Sequence, residues 1–285
     1  MKNELTTIIN FCSGDRNFLE ANVENIEHIS EEIIVPYCTH LFSGNEDNLD
    51  IIESMKKDLP HVKFIEFGRE SIDIYSGPNI ARWVGFNNTK TEHILFVDAD
   101  EIFDKDMIGK WYNNTDLSEI DFGNFDAYFY FLETKYQALR NDNWESAVGY
   151  FEGGNGTGFI NAIKEFAGLI VKKDLINRDK IFHRHERWSF ISDPGFKKQI
   201  RTSEGETMLH HYAYVRDKDQ MVRKTNNWAH KNDRPWAELI EQYFNDPNYF
   251  TNNEFRDFVH GYQYKTIEPI HNIPNLKDFD KNKGF

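Results

Sequence analysis

Residues 93–101, His-Ile-Leu-Phe-Val-Asp-Ala-Asp-Glu, decide the fold class of this chain. The apolar run Ile94–Val97 predicts a buried strand, and ligands of open α/β sheets bind at the carboxyl ends of such strands. Residues i and i+2 of a strand share a face, so Asp98 and Asp100 are expected to approach one point. Two carboxylates with open coordination positions suit Mg²⁺ or Mn²⁺ bridging a diphosphate.

The sequence on both sides of this strand alternates between apolar runs and helical stretches. Continuous apolar strands separated by helices predict an α/β fold with a parallel sheet covered on both faces. The strands expected before it are Thr6–Cys12, Glu32–Cys38 and Val62–Phe67, and the helices are Asn17–Ile29, Asn48–Leu59 and Asn79–Asn88.

The second half of the chain has a less regular pattern. Apolar runs predict three more strands, at Asp126–Leu132, Ala147–Phe151 and Gly168–Lys172. After Asp217 the pattern becomes helical, with helices expected at Trp236–Phe244, which follows Pro235, and at Asn253–Tyr262.

Composition limits the classes of protein. Of 285 residues, 39% are hydrophobic and 15% aromatic, enough for a large core, which excludes general disorder. The formal charge of −14 argues against sequence-independent nucleic-acid binding, since such a surface repels a phosphate backbone. Two cysteines exclude a disulfide framework. No apolar run reaches 18 residues and no signal-peptide pattern opens the chain, so a cytoplasmic protein is expected, with peripheral membrane association and oligomeric state left open.

Two segments resemble one enzyme family. Residues 79–103, NIARWVGFNNTKTEHILFVDADEIF, resemble the Asp-x-Asp segment of GT-A glycosyltransferases, especially the family-2-like ones. Residues 208–233 are similar to a His-Tyr-x-x-Val-Arg stretch of bacterial and viral members. The resemblance implies a GT-A, Rossmann-like fold: a mostly parallel central sheet flanked by helices. It divides the chain into a nucleotide-sugar-binding and catalytic domain at 1–215 and a helical C-terminal extension at 216–285, packed on that domain.

The same resemblance implies a function and a metal site. A sugar would pass from a nucleotide sugar, linked to UDP, GDP or dTDP, to a hydroxyl of a glycan or polysaccharide acceptor. Asp98 and Asp100 would hold Mn²⁺ or Mg²⁺ on the donor diphosphate, with Asp98 nearer the ribose and Asp100 the firmer ligand. A histidine would complete the metal site; His210 and His211 are the candidates, with His210 preferred.

Residues expected at the nucleotide come from three segments. Arg82 would reach the nucleotide or its phosphates. The base and ribose would be framed by residues at the end of the first strand and in the loop after the second: Phe11, Ser13, Arg16, Thr39, Ser43 and Asp47. Many family members place an acidic residue at the end of the second strand, where it contacts the nucleotide base. Residues 36–40 carry no carboxylate, so the identity of the nucleotide base is left open.

An inverting transfer needs a carboxylate that deprotonates the acceptor hydroxyl. Glu186, in a position like that of the family's acidic pair, is the first candidate for this base. Asp142 and Glu145 are the alternatives, and the nearby Trp144 could stack on a sugar ring. Inversion and retention both remain open.

Other readings of the same residues are retained. Asp98 and Asp100 after an apolar strand also resemble the start of a haloacid-dehalogenase-type phosphatase, although no later apolar run ends in an acidic pair. A non-catalytic sugar-nucleotide-binding protein is a third possibility. A zinc site could be formed by His183, His185, His210 and His211, but their spacing matches no familiar zinc module. Glycines between 153 and 158 predict a loop over the acceptor cleft.

Overall fold

A computed structural model describes the chain over residues 4–41, 43–68, 77–138, 166–177, 198–200, 203–228, 230–246 and 254–267. Several sequence expectations fall outside these ranges. They are the strand at 147–151, the glycine run at 153–158, and the side chains of Trp144, Asp142, Glu145, His183, His185 and Glu186.

The described residues form an α/β structure, which confirms the predicted fold class. Its helices are α1 (Arg16–Ile26), α2 (Leu49–Asp58), α3 (Gly77–Asn88), α4 (Lys105–Asn114), α5 (Lys218–Asn227) and α6 (Trp236–Asn245). Its strands are β1 (Leu5–Asn10), β2 (Glu32–Cys38), β3 (Lys63–Phe67), β4 (His93–Asp98), β5 (Glu101–Phe103), β6 (Phe122–Phe131), β7 (Glu133–Ala138), β8 (Phe166–Lys172), β9 (Lys198–Ile200), β10 (Leu209–Tyr214), β11 (Glu254–Arg256) and β12 (Gln263–Thr266).

One mixed sheet connects nine of these strands in the order β11-β12-β7-β6-β8-β4-β1-β2-β3. Of the other three, β10 pairs with β5 and β6, and β9 pairs with β6. The four strands β3, β2, β1 and β4 are parallel, as expected from the strand and helix alternation. From β4 onward the neighbours β8, β6, β7, β12 and β11 pair antiparallel. The parallel half therefore ends at β4, the strand that carries Asp98.

Strand β1 lies between β2 and β4 and is buried on both faces. Successive residues of a strand point to opposite faces. Accordingly, Ile9 belongs to the large core cluster with Leu19 and Val97, whereas Ile8 packs into a separate cluster with Phe86. Both faces of the parallel strands are thus covered by apolar side chains. Polar residues such as Asp98 lie at the carboxyl ends of these strands.

The C-terminal segment corrects one expectation. Helices α5 and α6 are present, but the helix expected at Asn253–Tyr262 is wrong, because β11 and a turn occupy that region. The Asp257 carboxylate accepts hydrogen bonds from the backbone N–H groups of residues 259–262, and such local bonds compete with a helix. Strand β12 pairs with β7, so the segment extends the sheet.

Among the described residues, no helix is long and apolar enough to cross a membrane.

Candidate active site

The turn that joins β4 to β5 presents the aspartate pair. Register places Asp98 opposite Asn10 of β1, and the backbone N–H of Ala99 donates to the Asn10 carbonyl at 3.0 Å. The buried Asn22 side chain of α1 donates to the carbonyls of Asp98 and Ala99, both at 3.1 Å, and of Glu101 at 2.8 Å. One amide group thus holds three carbonyls of the turn against the first helix.

The Glu101 carboxylate holds the same turn from inside. Its Oε2 accepts from the backbone N–H of Asp98 at 2.9 Å and of Gly168 at 3.2 Å. The Asp100 carbonyl accepts from the backbone N–H of Tyr212 at 2.8 Å. Because β4 ends at Asp98, strand alternation does not extend to Asp100, and the two aspartates contact different partners.

Asp98 is paired with Arg82 of α3. The Arg82 Nη2 atom donates to Asp98 Oδ1 at 2.9 Å, and Nη1 donates to the Asn79 side-chain oxygen at 2.8 Å. Asn10 also donates to Asp98 Oδ1, at 3.3 Å. The guanidinium is almost fully buried, whereas the carboxylate of Asp98 is partly open to the cleft.

Asp100 is surrounded by three basic side chains. Lys224 Nζ lies 2.9 Å and Arg216 Nη2 3.4 Å from its Oδ2, and His211 Nε2 lies 3.6 Å from its Oδ1. Burial alone would raise the pKa of Asp100, but Lys224, His211 and Arg216 together hold this pKa well below its ordinary value. Asp100 is therefore a carboxylate that stays ionised despite being buried.

Arg216 is a fixed charge. Its side chain is 3% exposed. The guanidinium donates to the Ala213 carbonyl at 3.0 Å and the Gly14 carbonyl at 2.8 Å, and it also pairs with the Asp15 carboxylate. Gly14 and Asp15 lie 202 and 201 residues before Arg216 in the sequence, so Arg216 ties β10 to the loop after β1.

Lys224 is placed by the start of α5. Asp217 caps this helix reciprocally with Gln220: the Asp217 side chain accepts from the Gln220 N–H at 2.8 Å, and Gln220 Oε1 accepts from the Asp217 N–H at 3.1 Å. This capping box fixes the helix directly after Arg216. The Lys224 ammonium, two turns later, lies 5.7 Å from the centre of the Tyr214 ring and reaches Asp100.

The two adjacent histidines of β10 point to opposite faces, and of the two only His211 lines the cleft. The His210 ring is buried against Tyr130, whose hydroxyl lies 2.8 Å from Nδ1, and desolvation lowers its pKa to about 3. His211 faces Asp100. Burial disfavours its charged form, but interaction with Asp100 and the charge of Glu101 outweigh burial and raise the pKa of His211. His211 is thus the histidine on the aspartate side.

A cleft of about 750 Å³ opens over these groups. Five acidic and five basic side chains line it: Asp15, Asp47, Asp98, Asp100, Asp233, Arg82, Arg216, Arg223, Lys224 and Arg234. Formal charge therefore balances at the cleft wall, although the whole chain carries −14. A cleft of this size can hold a nucleotide-sized molecule, and its balanced wall presents basic groups to an anion.

The loops after β1 and β2 are joined at the cleft. The Asp47 carboxylate accepts from the Ser13 hydroxyl and from the Ser13 backbone N–H, the latter at 3.2 Å. The backbone N–H of Asp47 donates to the Thr39 carbonyl at 2.9 Å, which fixes the position of Asp47. Across the cleft, Ser43 donates to the side chain of Asn227 of α5 at 2.6 Å. The β2–α2 loop thus forms one wall and touches α5.

Most of the described residues expected at the site reach this cleft. The ones that line it are Phe11, Ser13, Asp47, Arg82, Asp98, Asp100 and His211. Thr39 lines an adjoining depression that shares Asp47, while Arg16, the first residue of α1, and His210 line neither. The candidate bases Glu186, Asp142 and Glu145 lie outside the described residues.

Sequence reasoning missed several residues of the site. Asn22, Asp15, Arg216 and Lys224 all contact the aspartate turn or its partners. Arg216 and Lys224 lie inside the 208–233 stretch that carries the resemblance. The sequence therefore pointed to this segment, but it did not show that both residues contact Asp100. Asn22 could also have been found from the sequence, because it is a polar residue in the apolar face of α1.

The residues fit a hard divalent cation in donor type. Asp98 and Asp100 supply carboxylate oxygens, and His211 supplies an imidazole. At 3.6 Å, His211 Nε2 and Asp100 Oδ1 lie farther apart than neighbouring octahedral ligands, which are separated by about 3 Å. Among the described residues, however, no three such side chains converge, since Asp98 turns to Arg82 and Asp100 to Lys224.

Comparison with known proteins gives likeness of structure only. No protein-family model matches the chain, and no curated protein sequence matches it. The solved structures that it resembles include the inositol-1-phosphate CTP transferase from T. maritima, at 8% identity and a TM-score of 0.45, over 81% of this chain and 98% of that one.

Two further structures have bound nucleotide sugars. S. aureus TarS 1-349 in complex with UDP-GlcNAc is 11% identical, with a TM-score of 0.44, over 78% of this chain and 64% of that chain. The mannosyltransferase PcManGT from Pyrobaculum calidifontis, in complex with GDP-Man and Mn²⁺, is 10% identical, with a TM-score of 0.44, over 79% of this chain and 61% of that chain. The present chain thus spans less than two thirds of each of these two.

Proposed function

We propose that this chain is a glycosyltransferase that moves a sugar from a nucleotide-sugar donor to a hydroxyl acceptor. The observation that carries the proposal is the pair Asp98 and Asp100 at the carboxyl end of a parallel strand, both lining a cleft of about 750 Å³. Carboxylates and basic groups in one ligand-sized cleft at this sheet edge suit a ligand that carries a diphosphate.

The chain's own residues would bind and orient the donor. The Ser13–Asp47 contact holds the loops after β1 and β2 in one arrangement, which would frame the base and ribose. Arg82 and Arg216 are buried guanidinium groups with fixed partners, so their positive charge is present before the donor arrives. Preorganised charge of this kind stabilises a negative leaving group without further rearrangement.

Asp98, Asp100 and His211, which do not converge on one point in the described structure, would come together to hold a divalent ion, Mn²⁺ or Mg²⁺. When bound, it would act as a Lewis acid that stabilises charge on the departing nucleotide phosphate. His211 would coordinate through its neutral imidazole, and the buried carboxylate of Asp100 stays ionised at neutral pH, as a metal ligand requires. His210 is not included, because it faces away from the aspartates.

Glu186 is proposed as the base that takes the proton from the acceptor hydroxyl, with Asp142 and Glu145 as the alternatives. This assignment rests on the family resemblance of the sequence around Glu186 and on the need for a carboxylate in an inverting transfer.

Thermal unfolding with nucleotide sugars tests the proposal. At a concentration 100-fold above Kd, a UDP-, GDP- or dTDP-sugar should stabilise the protein by about 2.7 kcal/mol. We expect that stabilisation with Mn²⁺ and not with EDTA, and its loss in Asp100→Ala. Asp121→Ala, at an exposed aspartate that does not line the cleft, is the control and should respond like the wild type.

One result would contradict the proposed donor class, and another would contradict the metal dependence. If no nucleotide sugar raises the unfolding temperature under either condition, the donor class is wrong; equal stabilisation in EDTA would overturn only the metal dependence. Release of nucleoside diphosphate from the bound donor then separates a transferase from a protein that binds and does not react.

A further inference from the structure

Lys224 and Arg216 both contact Asp100 Oδ2, but their surroundings differ. Arg216 is 3% exposed and is held by the Ala213 and Gly14 carbonyls and by Asp15. Lys224 is 23% exposed, and within the described part of the chain its ammonium donates to Asp100 alone. One of the two charges is therefore immobilised, and the other sits on a flexible four-carbon chain at the cleft wall.

The position of Lys224 conflicts with the donor set of the proposed site. Its ammonium lies 2.9 Å from an oxygen of Asp100, the buried carboxylate that would bind the cation. An ammonium and a divalent ion on one carboxylate repel each other, so the two compete for Asp100. Arg216 cannot yield, because its other hydrogen bonds tie it to the backbone. Lys224 is the group that can move.

A displaced Lys224 remains within the cleft. It lines the same cleft as Asp98 and Arg82, and its ammonium lies 5.7 Å from the centre of the Tyr214 ring. The anion that enters this cleft under the proposed function is a nucleotide sugar, which carries a diphosphate. An ammonium on a flexible stem can follow a phosphate oxygen as a point charge.

We propose that Lys224 is an exchangeable counter-ion: it neutralises Asp100 in the free protein and transfers to the donor diphosphate when metal and nucleotide bind. The inference rests on the proposed function and adds a residue to it. For Lys224 the exchange breaks one hydrogen bond to Asp100 and forms one to a phosphate oxygen, and no covalent bond changes. The exchange keeps a buried carboxylate paired at every stage, which avoids the cost of an isolated buried charge.

The exchange predicts opposite changes in two affinities. In Lys224→Met, Mn²⁺ alone should bind about tenfold more tightly than in wild type, because its competitor for Asp100 is absent. In saturating Mn²⁺, UDP or GDP, whichever the wild type binds, should bind about tenfold more weakly, because one charge-assisted hydrogen bond to the diphosphate is lost. A protein in which Lys224 merely packs would show neither change.

The measurements are Mn²⁺ titration followed by electron paramagnetic resonance and nucleotide titration followed by calorimetry. Lys218→Met is the matched control: it removes a lysine of the same helix that pairs with the exposed Glu241 and lies outside the cleft lining, so both affinities should stay at wild-type values. Lys224→Arg restores a charge and should recover nucleotide binding. Lys224→Gln replaces the methionine variant if circular dichroism shows that the latter is unfolded.

Each outcome is decisive. Unchanged Mn²⁺ affinity in Lys224→Met overturns the competition, and unchanged nucleotide affinity overturns the transfer to the diphosphate. If the wild type binds Mn²⁺ and a nucleotide, and Lys224→Met and Lys224→Gln bind both with wild-type affinity, the inference fails and the proposed function stands. If the wild type binds neither Mn²⁺ nor UDP nor GDP, the proposed function fails and the inference fails with it.

Discussion

Arg82 and Asp98 form an ion pair that joins α3 to the end of β4, with 2.9 Å between Nη2 and Oδ1. The Arg82 side chain is 5% exposed and also donates to Asn79, so both ends of its guanidinium fork are engaged. The pair sets the position of the first aspartate independently of the cluster around Asp100.

Removal of Arg82 is expected to destabilise the fold. In Arg82→Met, Asp98 loses its buried partner and the Asn79 oxygen loses a donor, which should lower the free energy of unfolding by about 1–3 kcal/mol. Arg82→Lys should be intermediate, since an ammonium cannot reproduce the fork. Urea unfolding measures both. Lys63→Met, which breaks the exposed pair with Glu32, should change stability by less than about 1 kcal/mol; an equal effect of Lys63→Met and Arg82→Met would refute the prediction.

Two helical glycines should respond oppositely to alanine. A Cβ on Gly85 of α3 would lie 2.5 Å from Ile8 Cγ2 in the centre of the sheet, so Gly85→Ala should cost about 1–3 kcal/mol through overpacking. A Cβ on Gly109 of α4 would meet the tip of the His28 ring at 2.6 Å, and that ring can rotate away. Gly109→Ala should therefore be neutral or stabilising by up to about 1 kcal/mol, from helix propensity. Thermal unfolding compares the two; a stabilising Gly85→Ala would be inconsistent with the close contact.

His210 should make the fold sensitive to acid. Its folded-state pKa is lowered to about 3 by burial among Tyr128, Tyr130 and Tyr212. An unfolded histidine titrates near about 6.5, so below that pH the unfolded state takes up a proton that the folded state does not, and stability falls. Between pH 7 and pH 5 this loss amounts to roughly 2 kcal/mol.

The variant His210→Phe isolates this contribution. It keeps an aromatic ring in the stack and removes the titration, so its loss of unfolding free energy from pH 7 to pH 5 should be about 2 kcal/mol smaller than that of the wild type. Urea unfolding at both pH values, with EDTA present, gives the difference. His61→Gln, at an exposed histidine, should retain the wild-type dependence. Identical pH dependence in His210→Phe and wild type would show that His210 does not cause it.

Glu186 should affect transfer and not donor binding. A base that acts on the acceptor makes no contribution to donor affinity, so Glu186→Gln should leave the nucleotide-dependent thermal shift unchanged and lower the rate of transfer by roughly 10²–10⁴-fold. Asp142→Asn and Glu145→Gln serve as the comparison. Full activity of Glu186→Gln would exclude it as the base, and loss in one of the other two would reassign that role.

The sequence by itself determined the parallel half of the sheet and the place of the aspartates. Glu32–Cys38 was expected as a strand and is one, with identical bounds. Asn48 precedes α2 and caps it by accepting from the Ile51 N–H at 3.3 Å. These features depend on apolar runs and on capping residues within a few positions, so local sequence contains the information.

The partners of the aspartates were decided by the tertiary structure. Arg216 and Lys224 lie 116 and 124 residues from Asp100, and the periodicity of either segment says nothing about that contact. His210 and His211 have the same residue type on one strand, and only the packing of β10 decides which faces the cleft. Likewise, residues 254–266 became strands because β7 offers an edge and Asp257 closes a turn. Long-range pairing settles such choices because each alternative satisfies the local sequence equally well.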